Sequence, residues 1–378
     1  MSQCPPQRQD FPRPAWHQAA VWFGADFFGL ARLLLRGGLR VRPASWADCS
    51  QDVLFSLLNT ALGSLQTFFF GARTQGVRLQ QDPIFIIGHW RTGTTLLHEL
   101  LALDPRHRAP TTYECFVPGH FLLTEPLLRG WIGFLLPTRR PIDAMDMGWD
   151  RPQEDEWALC NLGLPSPYAA MAFPNRPPPY PEYLDLERVS PAGRRRWKLA
   201  LLGFLKQVLY KRPGRLVLKS PTHSFRLPIL LEMFPAARFI HMVRNPYEVF
   251  ASTVHLWKSL YAWQGYQQPT YAGLEEEVLR TFVRLHERLD ATRGLVPPAH
   301  WHQVRFEDLL QDPVGQVRAI YERFGLGRFD RVEPAIGQYF QVRANYPTNR
   351  HELSPQWRAE VRRRWQPYFE RYGYSTEG

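Results

Sequence analysis

The sequence predicts an α/β protein: a three-layer, P-loop-like fold with a central parallel sheet, preceded by a helical N-terminal extension. Two observations carry this expectation. From Pro83 onward, short β-rich runs alternate with helix-period segments: "PIFIIG" then "TTLLHELLAL", "RLVLKS" then "SFRLPILLEMF", "RFIHMVR" then "PYEVFASTVHLW". Runs of this kind are βα units, and βα units build a parallel sheet covered on both faces. The second observation is the turn after the first strand, "FIIGHWRTGTTLLH". Gly88 and Gly93 there have the spacing of the phosphate loop G-x-x-x-x-G-K-[ST], with Thr94 where the lysine belongs.

Taken in order, residues 1–80 form the helical N-terminal extension. The start "MSQCPPQRQDFPRP" has no basic segment leading into an apolar core, so a cleavable signal is not expected. The stretch "AAVWFGADFFGLARLLLRGGLRV" is the most hydrophobic in the chain, but Asp26, Arg32 and Arg36 interrupt it, against a span of about 20 apolar residues. An amphipathic helix fits, either packed on the core or lying in a membrane interface. Residues 81–330 make the α/β core, with an irregular acceptor-side insertion near 115–205 that holds the proline-rich connector "FPNRPPPYPEY". "HWHQVRFEDLL" then "PVGQVRAIYERFGLG" repeats the strand-to-helix step, and 331–378 is expected to pack on the core as a C-terminal segment.

With 378 residues, 44% of them hydrophobic, the chain has enough apolar material for a substantial core. A formal net charge of +11 points to an anionic partner: nucleic acid, a lipid surface or a charged small molecule. Nucleic acid is disfavoured, because the arginines are dispersed and no recognition motif is present. Cys4, Cys49, Cys115 and Cys160 are scattered, without a C-x-x-C pair, and read as reduced thiols of a cytoplasmic protein. Membrane association turns on the N-terminal region, and oligomeric state has no signature.

The glycine loop permits a tight turn, and helix growth from Thr94 aims N–H groups and a positive helix end at an anion. Kinases and ATPases need the motif lysine and a distant Asp on magnesium. Here threonine replaces the lysine, and "RFIHMVRNP" ends in Arg244, so no metal is expected. What remains suits a donor with one 5′ phosphate carrying a smaller electrophile, met by Arg91 and the Thr94 and Thr95 hydroxyls. "RNPYEVFASTVHLW" supplies a second anion site, with Arg244 at a strand end, Asn245 as helix cap, Pro246 in the first turn and Ser252 two turns in. Arginine forks onto phosphate; the alternative is that Arg244 pairs with Glu248.

These motifs together resemble the superfamily of sulfotransferases that use 3′-phosphoadenosine 5′-phosphosulfate (PAPS). "RTGTTLLHELLALDP" resembles its 5′-phosphosulfate loop, and "FIHMVRNPYEVFASTVHLW" its 3′-phosphate signature. The match covers roughly residues 83–325. The resemblance implies a PAPS site formed by Arg91, Thr92, Gly93, Thr94, Thr95, Arg244 and Ser252. It also implies in-line attack of an acceptor hydroxyl on sulfur, with Arg91 meeting the charge that grows on the bridging oxygen. Lys219 either adds a second charge or snorkels from its strand end. The chain is closer to the bacterial and tyrosylprotein R-x-G-T-T branch than to the cytosolic K-T-H branch, because Ser220 and Pro221 follow Lys219.

For the general base, the resemblance points to Glu114 in "APTTYECF", with His223 in "KSPTHS" as the alternative; a buried ion pair is the competing role for Glu114. Phe306 stands where many relatives have tyrosine. Glu154, Asp155 and Glu156 either orient the acceptor or, as expected here, form a solvated helix start. The acceptor is expected to be a small-molecule, lipid or phenolic hydroxyl. A degenerate P-loop kinase and an inactive anion-binding protein at a membrane surface are the competing classes.

Overall fold

The computed structural model describes residues 20–136, 147–343 and 353–377; the amino-terminal "MSQCPPQRQDFPRP" with Cys4 lies outside them, as do 344–352 of the C-terminal segment. Its strands are β1 (Ile84–Ile87), β2 (His107–Arg108), β3 (Arg215–Lys219), β4 (Arg238–Val243) and β5 (Trp301–Arg305). They form one parallel sheet in the order β2-β3-β1-β4-β5. After β1 the chain fills one side of the sheet, then crosses to the other. That reversal at β1 opens a crevice beyond the carboxyl ends of the strands, where α/β sheets bind ligands. Four strands follow the predicted runs; the two-residue β2 is too short to carry a period.

On β1 the side chains alternate. Ile84 and Ile86 join one core cluster, Phe85 and Ile87 the other, and all four are fully buried. A strand covered on both faces reads as a continuous apolar run, as this one does.

Helices α1 (Phe27–Arg36) and α2 (Trp46–Gln75) make up the N-terminal region. α1 starts at Asp26, whose carboxylate accepts from the Gly29 N–H at 2.7 Å, and it buries Leu30, Leu33 and Leu34. α2 has the opposite polarity: the side chains it buries are Asp52, Ser56, Asn59, Gln66 and Thr74. Tyr266 donates to Asp52 at 2.7 Å, and Asn59 donates to the Phe23 and Ala25 carbonyls at 2.8 and 3.1 Å. Gln66 donates to Gln207 at 2.9 Å and accepts from the Leu122 N–H at 2.7 Å.

Helix α3 (Thr94–Ala102) follows the loop, as predicted. Among the described residues near 115–205, read as irregular, short helices are separated by long stretches outside α-helix: α4 (Thr112–Phe116), α5 (Phe121–Leu128), α6 (Asp155–Asn161) and the start of α7 (Pro191–Lys211). Beyond β3 come α8 (Leu227–Met233), α9 (Pro246–Gln264), α10 (Leu274–Arg293), α11 (Phe306–Gln311) and α12 (Pro313–Phe324). The chain finishes with α13 (Glu333–Arg343), α14 (Pro355–Arg364) and α15 (Gln366–Tyr372). α3 and α12 cover one face of the sheet through Leu97, Leu100, Val317 and Ile320, and α7 and α8 cover the other through Leu201, Leu205, Val208 and Leu230. Cys49, Cys115 and Cys160 are free thiols.

Candidate active site

The β1–α3 turn depends on glycine at two places. Gly88 has φ +147°, and a Cβ there would lie 2.7 Å from the Met242 carbonyl oxygen and from Thr92 Oγ1. Gly93 has φ +90°, and its Cβ would meet the Phe306 ring at 2.2 Å. Between them Arg91 also has a positive φ, +69°. That conformation costs a non-glycine residue about 1–2 kcal/mol. Side chains hold the turn: Thr92 donates to the His89 carbonyl at 2.8 Å, and the Ser224 hydroxyl accepts from the Gly88 N–H at 2.9 Å.

The two predicted anion sites are joined. Arg91 Nε donates to Ser252 Oγ at 2.8 Å, and Arg244 Nη1 donates to the Arg91 carbonyl at 3.0 Å. Asn245 caps α9 by accepting from the Tyr247 N–H at 3.0 Å, with Pro246 at its first position, as the sequence predicts. Arg244 lies 3.6 Å from Glu248. Burial holds its guanidinium below the ordinary arginine value, and the neighbouring positive charge of Arg91 pushes it the same way. Phe306 takes a packing role: its ring backs Gly93 and carries the Arg244 guanidinium 4.4 Å above its centroid. From the chain's end, the Tyr368 hydroxyl donates to the Arg244 carbonyl and accepts from the Arg244 N–H, both at 3.1 Å. Glu307 accepts from the Asn245 N–H and the Tyr374 hydroxyl, each at 2.9 Å.

Lys219 is buried at the end of β3, where its ammonium donates to Glu154 at 2.6 Å. Tyr168 donates to the other oxygen of Glu154 at 2.5 Å, and Trp90 of the loop donates to the Tyr168 hydroxyl at 3.2 Å. One chain of contacts therefore runs from the glycine loop through Trp90, Tyr168 and Glu154 to Lys219. Trp257 flanks it, 5.8 Å from the Trp90 ring and 6.4 Å from Tyr168.

The expectation of a solvated helix start at 154–156 is corrected: Asp155 and Glu156 are fully buried, and Glu154 is only 15% exposed. Each carboxylate meets a basic side chain from the end of β3 or the segment just after it. Glu154 takes Lys219, Asp155 takes His223 at 2.8 Å, and Glu156 takes Arg226 at 2.5 Å. The signal in the sequence was three successive acids and a later Lys–His–Arg series, but nothing local ties the two together.

The base candidates sit differently. Glu114 is fully buried in α4 and forms a capping box with Thr111. Its oxygens accept from Arg108, from Lys211 at 2.9 Å and from the Thr111 N–H at 2.9 Å. His223 is fully buried as well; Asp155 holds its Nε2, while its Nδ1 has no hydrogen-bond partner among the described residues.

A model of the sulfotransferase family matches residues 83–331. An omega-hydroxy-beta-dihydromenaquinone-9 sulfotransferase, Stf3 of Mycobacterium tuberculosis, is 47% identical over 356 residues, 94% of this chain and 92% of that protein. Sulfotransferase STF1 of M. tuberculosis superposes with a TM-score of 0.64 at 21% identity, covering 91% of this chain and 94% of that one. Sulfotransferase STF9 of Mycobacterium avium superposes with a TM-score of 0.66 at 19% identity, covering 94% and 98%. At those identities the two structures speak for the fold alone.

Proposed function

The chain belongs to the sulfotransferase family, and from that premise we propose that it moves a sulfuryl group from PAPS to a hydroxyl on a lipid-like acceptor. The observation that carries the reading is the pairing of Arg91 and Arg244 around one glycine turn, linked through Ser252 and the Arg91 carbonyl. Two neighbouring cations, one of them desolvated, are an electrostatic cost that a bound anion relieves. Residues at this turn suit a nucleotide with two anionic groups: Arg244 and Ser252 for the 3′ phosphate, and Arg91, Thr92, Gly93, Thr94 and Thr95 for the 5′ phosphosulfate. PAPS supplies the activated sulfuryl group, and the chain's own side chains do the rest. Arg91 meets the negative charge of the leaving oxygen, a contribution of about 3–4 kcal/mol for a preorganised donor. Lys219 is positioned by Glu154 and adds a second positive charge at the strand end.

For the acceptor's proton, Glu154 fits better than Glu114. It is more exposed than Glu114, Asp155 or Glu156, and its partners are the strand-end Lys219 and the loop-linked Tyr168. Both oxygens of Glu114 are already engaged, one by buried Arg108 and the other by the Thr111 N–H of its own cap. One observation favours a second reading, with His223 as the base: its Nδ1 lacks a partner among the described residues while Asp155 orients the ring. An apolar acceptor is supported by the Trp90, Tyr168 and Trp257 rings beside Glu154 and by the 47% identical relative, whose name gives a hydroxylated menaquinone as its substrate. Comparing the Gln variants of Glu154, His223 and Glu114 tests the assignment. Glu154→Gln should lower turnover about a hundredfold or more and remove the acid limb of the pH–rate profile, with donor affinity nearly unchanged. If that limb survives in Glu154→Gln and is lost in His223→Gln, the base is His223.

A further inference from the structure

Helix α2 turns its polar side to the protein and its apolar side to water. Leu54, Leu57, Leu58, Leu65, Phe68 and Phe69 are all exposed, Phe68 to 81%. Between Asp52 and Arg73 the helix carries no charged side chain. By length and composition it would serve as a membrane span, yet its polar stripe is spent on the protein: Asp52 on Tyr266, Asn59 on the Phe23 and Ala25 carbonyls, Gln66 on Gln207 and Leu122. A helix held along its length by such bonds cannot enter a bilayer end-on without leaving buried polar groups unpaired. It can lie flat against one. We propose that this face docks on the surface of an anionic lipid bilayer, with α2 parallel to the membrane plane and its leucine and phenylalanine side chains at the boundary between headgroups and acyl chains.

Composition and charge select this occupant. An ordinary surface helix faces water with its polar side, so the reversal is accounted for if the outer medium is apolar. Helices packed beside α2 extend the apolar surface: α1 exposes Phe28 and Leu35, and α5 exposes Leu127 and Leu128. Trp46 and Trp131, both largely exposed, are the side chains that settle at headgroup level. Exposed Arg40 and Arg78 bracket the helix in sequence, exposed Arg73 lies in its last turn, and the net charge of +11 favours anionic headgroups. Asp52 fastens α2 to Tyr266, just beyond the end of the α9 helix that carries Ser252, so a docked α2 would hold the donor site at a fixed distance from the bilayer. Docking does not require the acceptor to be a lipid, and it is testable without any acceptor.

The experiment is flotation of the purified full chain with unilamellar vesicles of phosphatidylcholine, with or without phosphatidylglycerol, alongside Leu58→Ser/Phe68→Ser. The wild type should float with the mixed vesicles and the double variant should lose at least about tenfold in partitioning. Partitioning should also fall when phosphatidylglycerol is omitted or salt is raised. Unchanged binding of 3′-phosphoadenosine 5′-phosphate by the variant verifies its fold; a variant that fails this check is replaced by Leu57→Ser/Phe69→Ser. Equal flotation of wild type and a folded variant overturns the proposal. So does a wild type that ignores vesicles and forms a dimer in solution which the variant dissolves, because the face would then be covered by a second copy of the chain.

Discussion

Removing the Arg244 side chain should separate ligand binding from fold stability. The guanidinium is 13% exposed, lies over Phe306, donates to the Arg91 carbonyl and has Arg91 as its positive neighbour. A forked, charge-assisted contact to phosphate is worth about 2–3 kcal/mol, so Arg244→Ala should weaken 3′-phosphoadenosine 5′-phosphate by about 30- to 150-fold. The ligand-free protein should respond differently. The lost cation–π contact and hydrogen bond are offset by relief of a desolvated charge crowded by Arg91, leaving a net stability change within about 1 kcal/mol. Calorimetric titration of 3′-phosphoadenosine 5′-phosphate and of adenosine 5′-phosphate, with melting curves of the apo forms, reads both quantities. The 5′-monophosphate should lose little affinity, since it lacks the group Arg244 is proposed to hold. Equal losses for the two nucleotides would refute the assignment, and a fall of several kcal/mol in apo stability would make Arg244 a structural residue.

Glu114→Gln should act mainly on stability, because it strips an anion from buried Arg108 and from Lys211; a loss of about 3–5 kcal/mol in chemical denaturation is expected, with turnover of the folded fraction little changed. Gly93→Ala combines a strained positive φ with a clash against the Phe306 ring, and should lower both melting temperature and donor affinity, by about 1–3 kcal/mol in stability. Burial raises the Asp52 carboxyl to about 7, so the folded chain holds this proton more tightly than the unfolded one. Its contribution therefore favours folding below about pH 4, weakens as pH rises toward 7 and is lost above that. Melting curves at pH 5.5 and 8 should show a larger drop for the wild type than for Asp52→Asn.

The sheet and the donor loop were legible because their signals are local. A run such as "PIFIIG" buries every residue whatever lies elsewhere, and the glycines at 88 and 93 are demanded by a turn that leaves no room for a side chain. Asn245 and Pro246 likewise announced the start of α9. The acids at 154–156 were misread because what buries them is a cationic series more than 60 residues away, and a carboxylate's surroundings depend on that partner. For Glu114, the resemblance suggested a catalytic role that could not disclose its engagement with Arg108 and Lys211. The polarity of α2 escaped for a related reason: periodicity shows that a helix has two faces, but which face meets protein was decided by Tyr266, Phe23 and Gln207, none of them local. The most hydrophobic stretch drew attention to α1, whereas the larger exposed apolar surface belongs to its neighbour.

The most direct test is a transfer assay in which 3′-phosphoadenosine 5′-phosphate release and sulfate-ester formation are measured in the same tube, with PAPS, a hydroxyl-terminated polyprenyl quinone as acceptor, and chelator present. One nucleotide released per ester formed, at an undiminished rate in chelator and abolished by Arg91→Ala, is the predicted result. Release without esterification, transfer that persists without Arg91, or no transfer to any acceptor in a panel of lipid, phenolic and sugar hydroxyls would contradict it.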